Sequence, residues 1–395
     1  MAIVPDNISR PLLLLSRTQL SHQEAHSARQ LCKEISDWNA FMAIAARKFS
    51  LPLVYRHLTE LGPGVAPADI LASMRGIVRQ MALSTLSINA ANQAFHKTCI
   101  EPLGASHVYL KGPSLAARYY DDPGMRSCRD IDVLVASDYF ETVIRTAISN
   151  GYQIYLDPYE KPLPLGERDL RAVLRYSQVV TLISPLNVHI EVHRNVDRNM
   201  GIFDSKALLG DVDEINFGEC RMNVLPTDVL FSYVCYHNTQ HTWSRLHWLA
   251  DLDAIIRHPT FNVELAIMYS RRLGLQQLAE ACLRLNALSA NPEAREKVQT
   301  EGHAVDLLEL CLMNLGGDID LEYGLILSQH RLGLPLRFFG SSKARRRAFV
   351  HHAIAGLTPG YPEYEAWPLP DWLQWLYYPM KTSVSLKKLF FRGRA

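Results

Sequence analysis

Apolar residues recur at helical spacing from about Ser21 to Leu61, and the stretch Thr59 to Gly64, with its Gly-Pro-Gly, supplies a stop. A second helix is expected from about Pro67, a residue suited to a first helical turn, to Cys99. The period then changes. His107 to Leu110 reads as a short strand, and Gly112 to Tyr120 as a helix with Pro113 in its first turn. After a loop rich in Asp, Pro, Gly and Arg (Asp121 to Arg129), the stretch Arg129 to Val135 alternates as a strand does, and a helix follows from about Asp138 to Asn150, closed by Gly151. Tyr176 to Ile183 and Asn187 to His193 read as two strands of a hairpin. From Pro226, with Thr227 or Asp228 as cap, the pattern is helical to the end apart from loops near Gly316, Gly333 and Gly360. The expected fold class is α+β. N-terminal helices occupy 1–104, a small mixed-sheet core with flanking helices occupies 105–225, and an all-helical domain with an aromatic and basic tail occupies 226–395.

The chain's 395 residues, 48% of them hydrophobic, are enough for two or three domains with ordinary cores. A formal net charge of +1 gives the surface as a whole no electrostatic reason to bind a polyanion, so any basic site must be local. Seven scattered cysteines, never in a close pair, fit reduced thiols and a cytoplasmic location. Pro11 to Leu15 is too short for a signal sequence, and no run approaches the roughly 20 apolar residues a membrane helix needs.

Chemistry concentrates in the middle of the chain. Residues two apart in a strand face the same way, so Asp130 and Asp132 point together while Ile131, Val133 and Val135 face the opposite side. Adjacent carboxylates repel unless a cation or proton sits between them. A plain ion-pair network with Arg126 or Arg129 would satisfy them, and so would a metal. In the hairpin Asn187, His189, Glu191 and His193 share a polar face, and Val188, Ile190 and Val192 the apolar one. His189, Glu191 and His193 could form a zinc site, yet three such residues on one strand span roughly 13 Å, too far for easy convergence on a tetrahedral ion. Asp130, Asp132 and Glu191 offer oxygen ligands, which magnesium prefers.

Several ordered blocks, namely Leu110 to Tyr120, Pro123 to Val135, Asn150 to Tyr152, His189 to His193, Pro226 to His241 and Arg245 to Ile255, together resemble the uncharacterised nucleotidyltransferase family of the DNA polymerase beta-like superfamily. The resemblance implies a nucleotidyltransferase core in which a glycine-bearing turn holds a nucleoside triphosphate. It further implies that Asp130 and Asp132 bridge two magnesium ions, with manganese as a substitute. Glu191 would complete the catalytic metal site and help deprotonate or orient an acceptor hydroxyl. Superfamily members commonly show Gly followed by Gly or Ser, whereas this chain has Gly112, Pro113 and then Ser114. Lys111, Gly112 and Ser114 at a helix start, with Arg126 and Arg129, are the nucleotide-binding candidates, the two arginines having ion pairs to Asp121 or Asp122 as their alternative.

His189, His193, His237, His241 and Asp251 are candidates for supporting roles around the site. His237 and His241 lie four apart on one helix face, and Asp251 is placed to orient one of them in a polar seam between helices. The expected activity is transfer of a nucleoside monophosphate to an acceptor, whether a small molecule, sugar phosphate, peptide or protein, with release of pyrophosphate. A catalytically silent nucleotide-binding module is one alternative, and a zinc-dependent hydrolase using His189, His193, His237 and His241 is another. Nothing identifies a nucleic-acid-binding fold. Trp367, Trp372, Trp375, Tyr377 and Tyr378, followed by Lys381, Lys387, Lys388, Arg392 and Arg394, mix aromatic with basic character as a peripheral membrane or protein contact does, or pack as a lid with a solvated basic end. Lys343, Arg345, Arg346 and Arg347 form a second basic cluster.

Overall fold

The long helical run at the N-terminus is cut into three helices, His22–Lys33, Trp38–Arg47 and Leu51–Glu60, each break having a local cause. Ser21 and Glu24 close a capping box on the first. The Asp37 carboxylate accepts from the Ala40 N–H at 2.8 Å and starts the second. Phe49, at φ 62°, leaves helical geometry, and Pro52 sits in the first turn of the third. These elements belong to a computed structural model that describes residues 4–156, 165–197, 200–290, 303–315 and 336–382. The second expected helix is Ala68–Phe95, and it runs on through a π-turn at His96–Ile100.

The chain divides into two units that interleave along the sequence: residues 1–90, 111–129 and 225–341, and residues 91–110, 130–224 and 342–395. The first is helical. It holds the N-terminal helices and then Pro113–Tyr119, Thr227–Gln240, His247–Arg257, Val263–Leu273, Gln276–Ala290 and His303–Leu315. Asp253 ties the N-terminal segment to this body: its carboxylate accepts from the Arg17 guanidinium at 2.5 Å, from the Thr18 N–H at 3.0 Å and from the Thr18 hydroxyl at 2.7 Å.

The second unit is built on a seven-stranded mixed sheet: β1 His107–Tyr109, β2 Asp130–Val135, β3 Gln153–Tyr155, β4 Val179–Ile183, β5 His189–His193, β6 Asp213–Phe217 and β7 Cys220–Val224. The strand order is β3-β4-β5-β2-β1-β7-β6. β2 pairs parallel with β5 and β1 parallel with β7, and every other pair is antiparallel. The expected strands are present, with β4 and β5 as the expected hairpin, but β3 and the β6-β7 hairpin enlarge the sheet beyond the small one read from the pattern. Ile131, Val133, Ile190 and Val192 are fully buried, and the helix Ser137–Ser149 adds Phe140, Val143, Ile144 and Ala147. Each large side chain so buried contributes about 1.5–3 kcal/mol, which fixes which face of β2 and β5 is left for polar groups.

The helices Ser342–Leu357 and Tyr361–Ala366 also belong to this unit. Of the aromatic tail, Tyr377 is fully buried against Ala172 and Tyr364, whereas Trp367, Trp372, Trp375 and Tyr378 are exposed. Lys387, Lys388, Arg392 and Arg394 lie outside the described residues. No helix among the described residues is long and apolar enough to cross a membrane, and all seven cysteines are free thiols.

His96 and His107, stacked edge-to-face with ring centroids 5.2 Å apart, make this unit acid-sensitive. Burial, followed by the charge of His107, lowers the His96 pKa to about 4, and burial lowers that of His107. Below about pH 6.5 the unfolded chain takes up protons the folded state refuses, so stability is full above that pH and falls as pH drops toward 4. Urea melts from pH 7 to pH 4 should show this loss, up to about 3 kcal/mol from His96 alone, and the slope should flatten in His96→Gln. An equal slope in the variant would remove His96 from the account.

Candidate active site

In the second unit the parallel register places Asp132 opposite Glu191 and Leu134 opposite His193. One ligand atom each from Asp132, Glu191 and His193 lies within 4.8 Å of the others. The His193 Nε2 is 3.3 Å from Asp132 Oδ1 and 3.5 Å from Glu191 Oε2. Asp132 is 1% exposed, while the Glu191 side chain is 36% exposed, so the cluster runs from the sheet interior outward. The Leu110 N–H donates to the Asp132 carbonyl at 3.1 Å, continuing the β1–β2 ladder one residue beyond β1.

His193 is the electrostatic centre of this cluster. Burial alone would lower its pKa, but hydrogen bonds to Asp132 and Glu191 and their negative charge outweigh burial and raise it to about 9. A cationic imidazolium thus balances two carboxylates. A divalent cation could meet the same demand for positive charge, held by the two carboxylates and, once it displaces the His193 proton, by the imidazole nitrogen. Asp130 lies on the same face of β2, half-buried and opposite His189 in register, but outside this close trio. The pleat explains the separation, since residues two apart on a strand stand roughly 6.5 Å from one another. His189 packs its ring 5.0 Å from that of Tyr155.

The other candidates stand in the first unit. Gly112 has φ 74° and ψ −133°, a conformation that excludes a side chain, which accounts for glycine there. The helix it precedes, Pro113–Tyr119, has only seven residues, Pro113 offers no N–H, and the buried Ser114 hydroxyl donates to the Lys111 carbonyl at 3.1 Å. Arg126 is buried in a bidentate ion pair with Asp251, Nε to Oδ1 at 2.6 Å and Nη2 to Oδ2 at 2.8 Å, and the Tyr120 hydroxyl donates to the same carboxylate at 2.8 Å. Desolvation opposes the charge of Arg126, and Asp251 more than restores it, keeping the guanidinium protonated. Asp251 therefore holds an arginine and a tyrosine rather than His237 or His241, and the partner of Arg126 is neither Asp121 nor Asp122.

A basic and aromatic cluster completes the picture of this unit. The Arg129 guanidinium lies 4.4 Å from the Phe49 ring centroid, and that of Arg245 lies 5.5 Å from Phe49 and 5.5 Å from Trp248. Phe49 reaches this position through a left-handed backbone that bulky residues rarely adopt, and Thr242 at φ 55° and Trp243 at φ 51° shape the loop that carries Arg245. His237 stacks on His241 with centroids 4.5 Å apart. His237 and His247 are held neutral, first by burial and then by neighbouring cations, Lys111 and Arg245 for both, with Arg126 and Arg129 also acting on His247. The local field is positive and suits an anion. Pattern reading passed over Phe49, Arg245 and His247. The signal for Arg245 was its place at the head of the Arg245 to Ile255 block.

Among the described residues, the three-ligand grouping includes neither His237 nor His241, which gives the zinc hydrolase reading no second metal site. A family model described as "Uncharacterised nucleotidyltransferase" matches residues 34–290. A search of curated proteins finds no match.

Proposed function

Because the chain belongs to the uncharacterised nucleotidyltransferase family, we propose that it is a magnesium-dependent transferase that moves a nucleoside monophosphate from a nucleoside triphosphate to an acceptor hydroxyl or phosphate. The convergence of Asp132, Glu191 and His193 on adjacent parallel strands supports this most directly. Asp132 and Glu191 would hold one ion, Asp130 with Asp132 would hold a second, and His193 would orient the two carboxylates beside it. Two bound ions would supply charge neutralisation at the attacking and leaving oxygens of an in-line displacement.

The acceptor oxygen forms a bond to the α-phosphorus, the bond from that phosphorus to the bridging oxygen breaks, and pyrophosphate departs with the electron pair. Glu191, more exposed than Asp132, would take the acceptor proton. Within the first unit, Lys111, Gly112, Arg129 and Arg245 are the proposed phosphate-binding groups. Ser114 and Arg126 are left out, their polar groups being turned to protein partners. The acceptor remains one of four classes: small molecule, sugar phosphate, peptide or protein.

Incubation of the protein with each labelled nucleoside triphosphate, magnesium and host-cell extract should transfer label to an acceptor and release one pyrophosphate per transfer. Absence of both products with all four bases would sink the enzyme reading. The short helix and inward Ser114 hydroxyl favour, as a second reading, a module that binds nucleotide without turnover. That outcome would appear as calorimetric binding with no pyrophosphate.

A further inference from the structure

Half of the large apolar side chains exposed among the described residues fall within residues 349–378. Phe349, Val350, Ile354 and Leu357, on the helix Ser342–Leu357, are 44–62% exposed. Trp367, Trp372, Trp375 and Tyr378 are 57–75% exposed. Leaving such groups in water forfeits the burial energy that governs the rest of the fold, and a concentration of them marks a surface that meets something.

The helix has a definite polarity along its exposed side. Lys343, Arg347, Val350, Ile354 and Leu357 recur at the four-then-three spacing that aligns residues on one stripe, with Arg346 beside them. Cations occupy its N-terminal half and aliphatics its C-terminal half, and the helix contains no acidic residue. The opposite side is the docked one: Ala348 is buried, and the His351 ring lies so close to Gly201 that a side chain there would collide with it.

We infer that this part of the second unit is a peripheral binding surface for anionic lipid. The two halves of the stripe ask for different things, phosphate-level negative charge for Lys343, Arg346 and Arg347 and an apolar medium for Val350, Ile354 and Leu357. The boundary of an anionic bilayer presents both within a few ångströms. Exposed indoles prefer that same headgroup level, where an apolar ring and a polar N–H are both satisfied. An acidic protein would match the cations but supplies no reason for bare tryptophans in the same C-terminal segment of the unit. Since no helix among the described residues can cross a bilayer, the contact is interfacial. The inference is independent of the metal cluster's chemistry.

Full-length protein should co-sediment with vesicles of phosphatidylcholine mixed with phosphatidylglycerol and not with phosphatidylcholine alone, and rising salt should release it. Its tryptophan emission should shift to the blue on binding. The triple substitution Lys343→Glu, Arg346→Glu and Arg347→Glu should weaken partitioning by at least about tenfold. The pair Trp372→Ala and Trp375→Ala should weaken it and reduce the emission shift. All five side chains are exposed, so thermal melts of both variants should match wild type, separating lost binding from lost folding. No binding to anionic vesicles, equal binding to neutral ones, wild-type binding by the triple variant, or binding to polyglutamate in place of vesicles would each overturn the inference.

Discussion

Asp132→Asn should lower nucleotidyl transfer by at least about a thousandfold while the protein remains folded. The substitution keeps the shape of the side chain and its hydrogen bonding toward His193, but removes the one fully buried negative charge of the cluster. Glu191, a third exposed, cannot hold a divalent ion against water by itself, and His193 loses the acceptor that does most to keep it protonated. His193→Gln should be milder, about 10–100-fold and expressed mainly as a higher magnesium requirement, because it removes a group that orients the carboxylates. Circular dichroism melts together with pyrophosphate release at varied magnesium decide the matter. Turnover by Asp132→Asn within about tenfold of wild type would mean that this cluster is not the catalytic centre.

The polar faces of β2 and β5 were legible because alternation is a local property of a strand, so two aspartates on one strand and a glutamate between histidines on another could be assigned to faces without a structure. Which members of those faces meet was not legible. That depends on a parallel register between strands about sixty residues apart, and a shift of two residues would have paired Asp130 with Glu191. The objection to three ligands on a single strand holds, and the chain meets it by taking Glu191 and His193 from one strand and Asp132 from its neighbour.

Larger features escaped for similar reasons. The β6-β7 hairpin has alternating strands around Gly218, at φ 59°, yet it reads as mixed polar sequence because Glu214, Asn216, Arg221 and Asn223 point away from the core. β3 has three residues, too few to show a period. The N-terminal helices merged into one because their breaks are made by a cap at Asp37 and a strained Phe49, neither of which interrupts the apolar spacing. Capping and backbone strain are set by single residues, whereas periodicity averages over many.

Asp251→Asn should destabilise the helical unit by about 3–5 kcal/mol, because it strands the buried charge of Arg126. An asparagine can still accept from the Tyr120 hydroxyl, so the loss comes chiefly from the uncompensated guanidinium. Against a total stability of about 5–15 kcal/mol this is a large fraction, visible as a lowered urea midpoint. Replacing both partners by apolar residues of similar bulk, Arg126→Met with Asp251→Leu, should recover much of the loss, since no charge is left to desolvate. The pair of variants also tests the exclusion of Arg126 from the phosphate contacts. If the ion pair is purely architectural, the double variant folds and retains wild-type affinity for nucleoside triphosphate, whereas a guanidinium that serves the phosphates would leave a stable protein with weakened binding. A single variant as stable as wild type would show instead that water reaches Arg126, and the buried clamp would have to be abandoned.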